Sequence, residues 1–429
     1  MCGYTIIKKG STIENKHQLI KHRGLEHTTK SYDLFNVDFY SLALSSKNSN
    51  YIQPVVSGNY SFVFNGEIFN YKSLNRKCKS DLEYLSKLFY EFKYDQDRIY
   101  KESLKWDGFW SISIIKNSSV YFFTDPLGKK QLYYSEMGIS SEIKPLIENN
   151  SKYDYNENYF LKSRSSFQFI SRAIPDQMYH YNFSFKSASV YKKRKYFDEI
   201  KYINSSKIYD LLELAVLERI ENKIDGISLL LSSGIDSNII KYYLDKHGIK
   251  TEFVSFKSNE FNLISNHINK VAEIDVTNDS LNTIVKAYEH GLDYGSLIPN
   301  YFLFKECSNH VVLTGDGADE LFGGYNRSKE NDTFNYDVFS EIPYYHNIRI
   351  DRMSMIHTKE ARSPFMSHKL VKFASLLKRE ERTGKKILKD LFKNKIPDYC
   401  FNEKQPLRLN NDKEYNKQLI KSTFNNLKF

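Results

Sequence analysis

Cysteine is scarce in this chain: Cys2, Cys78, Cys307 and Cys400 are its only thiols in 429 residues. They stand too far apart to form a metal-ligand pair or to staple a small domain, which excludes a disulfide framework and points to a reducing, cytoplasmic setting. No apolar run approaches the length needed to span a bilayer, and the first residues carry no signal-peptide core, so no membrane association is expected. A GxxxxGK[ST] loop is missing, which argues against γ-phosphoryl transfer of the Walker type, and no acidic segment has EF-hand spacing. The net charge is +10. Its lysines alternate with acids and tyrosines instead of forming one basic run, and no nucleic-acid module signature occurs, so no dedicated nucleic-acid partner is expected.

What the chain does have is apolar material, 41% hydrophobic and 15% aromatic, enough for two cores and hence two domains. Residues 1–190 hold short alternating runs such as Tyr60 to Phe64, Trp110 to Ile115 and Val120 to Thr124. Asn-Gly, Asp-Gly and Pro-Leu-Gly turns punctuate them, which predicts a β-rich layered domain. The polar stretch from Lys192 to Ser206 reads as a connection. Ser205 or Ser206 is the expected cap of an amphipathic helix carrying Ile208, Leu211, Leu212, Ala215 and Ile220. Over 205–429 strands and helices alternate, the pattern of a parallel α/β sheet.

Two segments of this second region carry chemistry. In GISLLLSSGIDS, Gly226 to Ser237, a buried-strand run enters a small polar loop and then a helix that stops at Gly248. Loop amides and the positive helix end then converge on one anion site. Asp236 stands where it can hold Mg²⁺ against bound phosphates. Plain turn chemistry is the alternative, since Ser/Gly turns join strand to helix in any α/β protein. The second segment, HVVLTGDGADELFGGY from His310 to Tyr325, repeats the pattern with two carboxylates in its loop. Two acidic loops at strand ends suit opposite sides of one crevice, with Asp319 facing Asp236 across the metal. Attack at the α-phosphate of ATP, with pyrophosphate leaving, is the implied chemistry.

These loops resemble the SGGLDS and SGDGADELFGGY loops of the asparagine synthetase family, and the resemblance extends along the chain. It includes MCGY at the N-terminus, FNGEIFNY at Phe64 to Tyr71, SDLE at Ser80 to Glu83, TDPLGKK at Thr124 to Lys130 and SSEIKPL at Ser140 to Leu146. In the second half it includes DRMSMIHTKEARSPF at Asp351 to Phe365, GKKIL at Gly384 to Leu388 and EKQP at Glu403 to Pro406. The resemblance implies an N-terminal-nucleophile-type layered β-sandwich glutaminase, followed by an α/β parallel-sheet ATP-pyrophosphatase domain.

On that resemblance Cys2 is the glutaminase nucleophile, its freed α-amine serving as base once Met1 is removed. A cysteine used as a small strand hydrophobe is the plain alternative. The resemblance gives Asn65 and Gly66 to an oxyanion hole, and Asn65, Gly66, Glu67 and Asp81 to glutamine binding. Leu231, Ser232, Gly234, Asp236, Ser237, Val254, Thr314 and Gly315 fall at the ATP site, with core packing the alternative for Leu231 and Val254. Asp236 and Asp319 are the metal residues. Lys385 is implied to neutralise charge developing on the α-phosphate and acceptor carboxylate, Lys386 being its rival should the register slip. Asp316 lies near the acceptor and ammonia, and Glu360 is either an assisting catalytic group or an ion-pair partner of Arg352 or Arg362 inside a helix.

The chain also departs from the family. The arginine that grips the glutamine carboxylate is replaced by Ser41, for which Arg23 in HRGLE is a candidate substitute, a turn-stabilising role being the alternative. SGG becomes SSG at Ser233, PFLD becomes PFMS at Ser367, and the segment after Val254 is shortened. The expected activity is a glutamine-dependent amidotransferase using Mg-ATP, with aspartate as the default acceptor. The same chemistry on a uronic-acid sugar or peptide carboxylate, an ammonia-dependent homologue and a non-catalytic homologue remain the alternatives. Glutamine, ATP and the acceptor carboxylate are the expected small-molecule partners. A homodimer is one candidate assembly.

Overall fold

The structure is a computed structural model that describes residues 2–42, 52–75, 77–148, 165–199, 208–221, 225–290, 296–402 and 413–426. The chain divides into two compact units, Met1–Ile200 and Lys201–Lys428. Ser205, Ser206 and the EKQP segment lie outside the described residues.

Among the described residues, the first unit is built of two six-stranded antiparallel sheets. Its strands are β1 Cys2–Lys8, β2 Glu26–Ser31, β3 Phe35–Ser41, β4 Val55–Ser57, β5 Tyr60–Ile68, β6 Gly108–Lys116, β7 Ser119–Thr124, β8 Tyr133–Ser135, β9 Gly138–Ser140, β10 Ser171–Arg172, β11 Gln177–Asn182 and β12 Ser187–Lys193. The sheet orders are β10-β8-β9-β1-β3-β2 and β12-β11-β7-β6-β5-β4. Strand alternation explains the layers. Val63, Ile115, Val120 and Phe122 point into a core shared with Tyr4, Ile6, Val37 and Phe39 of the other sheet. Their neighbours Phe62, Phe64, Ile112, Ile114 and Phe123 face the opposite side, against Leu82, Leu85, Leu88 and Phe89 of the helix Asp81–Glu91. A strand buried on both faces must be apolar at successive positions, and YSFVF meets that demand.

The second unit centres on a five-stranded parallel sheet of β13 Ile227–Leu230, β14 Glu252–Phe256, β15 Lys270–Ala272, β16 Val311–Leu313 and β17 Glu360–Arg362. The order is β15-β14-β13-β16-β17. Chain direction across the sheet therefore reverses between β13 and β16, and the loops leaving these two strands open a crevice at their carboxyl ends. Among the described residues, no helix is long and apolar enough to cross a membrane.

Candidate active site

The crevice is closed by short-range chemistry. After β13 the loop is folded by its own side chains: Ser237 Oγ accepts from the Ser232 amide at 3.1 Å, and Asn238 Nδ2 donates to the Ser232 and Gly234 carbonyls at 2.9 and 2.8 Å. The helix Ile235–Lys246 starts there, with Asp236 in its first turn. Ser232 remains exposed, Leu231 and Val254 are buried, and the Leu231 amide donates to the Val254 carbonyl at 2.9 Å. Opposite, the Thr314 amide extends the sheet by donating to the Arg362 carbonyl at 3.0 Å. Gly315 then meets the first loop so closely that a Cβ there would lie 2.9 Å from the Asp236 Cβ. The two loops predicted to share a site are therefore in direct contact.

Lys385 joins them. Its Nζ donates to Asp236 Oδ1 and Oδ2 at 2.7 and 2.6 Å, and it lies 2.6 Å from Asp319 Oδ1. The lysine side chain is 6% exposed, so a cation and two carboxylates share one poorly solvated position. Removing the cation alone would leave two like charges facing each other without compensation. Gly384 and Lys385 are successive left-handed residues, at φ 68° and 60°, and the Gly384 and Lys385 amides donate to the carbonyls of Gly323 and Phe322 at 2.8 and 2.9 Å. A left-handed non-glycine residue costs roughly 1–2 kcal/mol, so the surrounding bonds hold Lys385 where the backbone alone would not. Its neighbour Lys386 is exposed. Gly324 completes the cradle, since a Cβ there would fall 1.9 Å from Asp319 Oδ1 and 2.6 Å from Lys385 Cε. Two carboxylates converging on a single cation form an all-oxygen donor set, the kind that suits Mg²⁺.

Beside this triad, Asp316 Oδ1 accepts from Arg349 Nη2 at 2.9 Å, while Arg349 Nη1 donates to Ser296 Oγ at 2.7 Å. His346 Nε2 lies 3.0 Å from Glu320 Oε1, and the Tyr325 hydroxyl also donates to Glu320. Burial, followed by the Glu320 and Asp319 charges, raises the Tyr325 phenol well above its ordinary range and keeps it a donor. Sequence reasoning missed Arg349 and His346. They lie at the junction of a π-helical turn, Asp337–His346, and the helix Asn347–Met355, whose residues are buried on every side. The helix sequence NIRIDRMSM mixes polar and apolar residues, and only folding buries them all, so the sequence did not single these two out.

Glu360 does not belong to this group. It begins strand β17, not a helix, and pairs in register with Val311 at the amino end of β16, away from the loops. There it is fully buried, with Arg362 Nε donating to Oε1 at 2.5 Å. Arg362 Nη1 in turn caps the Arg219 carbonyl at 2.9 Å. This is an internal ion pair that ties the edge strand to the helix Ile208–Arg219.

In the first unit, Cys2 opens β1. Its backbone nitrogen donates to Asn65 Oδ1 at 3.2 Å, which fixes the amide so that Asn65 Nδ2 points away. Asn65 is 0% exposed, and Nδ2 has no hydrogen-bond partner among the described residues. A buried unpaired donor costs about 1–3 kcal/mol, and such strain is expected where a ligand oxygen completes the bond. Gly66 follows at φ 153°, where a Cβ would strike the Phe109 carbonyl oxygen at 2.0 Å. Glu67 is buried, and the Asp81 carboxylate accepts the Ile68 amide at 3.1 Å, anchoring its helix to the end of β5.

Arg23 is engaged elsewhere than at a glutamine carboxylate. It is 1% exposed, with Nε donating to the Cys2 carbonyl at 3.1 Å and Nη1 to Glu142 Oε1 at 2.8 Å. It therefore braces the strand that carries the thiol. Burial pushes the Cys307 and Cys400 thiols up to about 12 and raises that of Cys78. Cys2 alone of the four is partly exposed.

Comparison with known proteins agrees with this division. Residues 1–196 match the glutamine amidotransferase domain family, and residues 207–349 and 333–425 match the asparagine synthase family. "Asparagine synthetase [glutamine-hydrolyzing] 1" of Bacillus subtilis is 28% identical over 77% of this chain and 58% of its own length. The chain thus spans little more than half of that relative. "Probable asparagine synthetase [glutamine-hydrolyzing]" of Acanthamoeba polyphaga mimivirus is 23% identical over 84% of this chain and 74% of its own. Among solved structures, the glutamine phosphoribosylpyrophosphate amidotransferase of B. subtilis is 13% identical, covering 73% of this chain and 81% of that one at a TM-score of 0.33. With its amidotransferase and synthase regions both matched, the chain belongs to the asparagine synthase family.

Proposed function

We propose that the chain is a ligase that adenylates an acceptor carboxylate with ATP and converts it to an amide with ammonia taken from glutamine. The observation that carries this reading is the Lys385 ammonium held between Asp236 and Asp319 at the switch point of the parallel sheet. Asp236 and Asp319 are the residues that would hold Mg²⁺, which when bound screens the phosphate charge and polarises the α-phosphorus. Ser232, Gly234 and Ser237 offer loop and helix-start donors to pyrophosphate, and Lys385 offers its charge to the α-phosphate. An acceptor carboxylate oxygen attacks the α-phosphorus and pyrophosphate leaves. Ammonia then attacks the acyl carbon, the acyl–phosphate C–O bond breaks and AMP departs.

Ammonia comes from the first unit. With Met1 removed, the Cys2 thiol adds to the glutamine δ-carbonyl while the α-amine accepts its proton. Asn65 Nδ2 and the Gly66 amide hold the oxyanion, and the proton passes to nitrogen as the C–N bond breaks. Water cleaves the thioester to glutamate. Asp81 and Glu67 are the groups offered to the glutamine amine.

Aspartate is the first acceptor to test. Another carboxylate is the second reading, favoured by Ser233, whose Oγ donates to Glu260 in the altered segment, and by Ser367, which stands at the N-cap position of the helix His368–Leu376, without a side-chain capping bond, where the family carries an acid. Asp316 and Arg349 face the acceptor in either case. The deciding experiment measures acceptor-dependent pyrophosphate release with aspartate, glucuronate and an aspartyl peptide. Release with one of them supports ligation and names the acceptor class. ATP cleavage only to ADP and phosphate would overturn the reading.

A further inference from the structure

A second group of chemistry-bearing side chains lies in the first unit, on either side of the HRGLE segment. His17 comes from the 3₁₀ segment Glu14–Arg23, His27 from β2 and Asp38 from β3. In the β2–β3 ladder Thr29 is opposite Asp38 and His27 is opposite Tyr40. With side chains alternating between faces, these four share the face turned away from Val37 and Phe39 of the core. The 3₁₀ segment brings His17 over that face.

The three candidate ligand atoms all lie within 4.8 Å of one another. His27 Nε2 is 3.0 Å and His17 Nδ1 is 3.6 Å from Asp38 Oδ1. Tetrahedral Zn²⁺ with bonds of about 2.0–2.1 Å places its ligand atoms roughly 3.3 Å apart, and the two measured edges straddle that spacing. The imidazole rings are stacked, 14° from parallel with centroids 5.1 Å apart, and each has a nitrogen near the same carboxylate oxygen. Asp38 is 3% exposed, and Thr29 Oγ1 orients it with a 2.7 Å bond. The Tyr40 hydroxyl is 3.0 Å from His17 Nδ1.

We propose that His17, His27 and Asp38 form a binding site for one divalent transition ion, Zn²⁺ being the best fit to two imidazoles and a carboxylate, with water as fourth ligand. The ion would be structural. It would clamp the 3₁₀ segment onto β2 and β3, and β3 ends at Ser41, opposite Cys2, about 10 Å along the strand from Asp38. A hydrogen-bonded polar cluster without affinity for metal is the competing account.

The test uses the full chain stripped with a chelator, titrated with Zn²⁺ by calorimetry and with Co²⁺ as a spectroscopic probe. One equivalent is expected to bind, with the intense visible absorption of tetrahedral cobalt and a rise in Tm. His27→Ala and His17→Ala should each weaken binding by tenfold or more while circular dichroism shows the fold retained. Cys2→Ala and Asp236→Ala should keep the full equivalent. Absence of stoichiometric binding overturns the proposal, as does unchanged binding in both histidine variants, or loss of the equivalent on replacing Cys2 or Asp236.

Discussion

Ser41 lies directly opposite Cys2 in the antiparallel pairing of β3 with β1. The side chain at 41 therefore occupies the strand position across from the thiol, where an arginine is expected from the family resemblance. Serine cannot supply a charged fork from there. A charge-assisted hydrogen bond to a carboxylate is worth about 1.5–3 kcal/mol, or roughly ten- to a hundredfold in affinity. Ser41→Arg should accordingly lower the glutamine KM of glutaminase turnover by at least about tenfold, with kcat little changed. An unaltered KM in steady-state assays would rule out a contact between position 41 and the substrate carboxylate.

Thiol reactivity separates the two half-reactions. Cys2 is partly exposed, while burial holds the other three thiols above their ordinary range. Since the thiolate is the reactive form, brief iodoacetamide treatment of the native chain should label about one equivalent, and peptide mapping should find it at Cys2. Cys2→Ala should lose this label together with glutamine-driven turnover, yet retain pyrophosphate release when ammonium is supplied. Equal loss of both activities would contradict separate sites for nitrogen release and ligation.

Lys385 combines a charge role with a backbone role, and two substitutions at one position divide them. Lys385→Ala removes the ammonium from between Asp236 and Asp319 and leaves a β-carbon at φ 60°. Lys385→Gly removes the same charge but relieves the left-handed backbone, a difference of about 1 kcal/mol. Both should abolish ATP–pyrophosphate exchange. The glycine chain should nevertheless resist urea better than the alanine chain. Exchange persisting in either variant would remove Lys385 from the chemistry, and identical urea midpoints would remove the backbone argument.

What the sequence disclosed and what it hid follow a physical pattern. The strand–loop–helix units around Asp236 and Asp319 were legible because a short apolar run, a Gly-rich turn and a helix start are local signals, and they led to the β13/β16 crevice. Lys385 stood out only by its motif, and its two carboxylate partners lie far away along the chain. For Glu360 the expected alternative of an ion pair with Arg362 is the one the structure shows, but in a strand and not a helix, because EARSPF has no periodicity to mark a three-residue buried strand. Arg349 escaped for a related reason, since NIRIDRMSM reads as an ordinary half-polar helix and its complete burial is created only by folding.

Asp125, in the TDPLGKK turn, offers a test by pH. Its carboxylate receives the amides of Leu127, Lys129 and Lys130 at 3.1 Å each, while complete burial raises its pKa from the ordinary 3.8 to about 6. Burial outweighs those amide bonds, so the folded chain holds the proton more tightly than the unfolded one. The stability contributed by this group is thus fully present below about pH 4 and is lost as pH rises through about 6, amounting to about 3 kcal/mol from a shift of roughly two units. Asp125→Asn has no proton to release. Urea unfolding of both chains between pH 4 and 7 should show the wild type losing stability relative to the variant over this window, then running parallel to it. A stability difference constant with pH would mean that Asp125 keeps its ordinary ionisation in the fold, with the amide bonds offsetting burial.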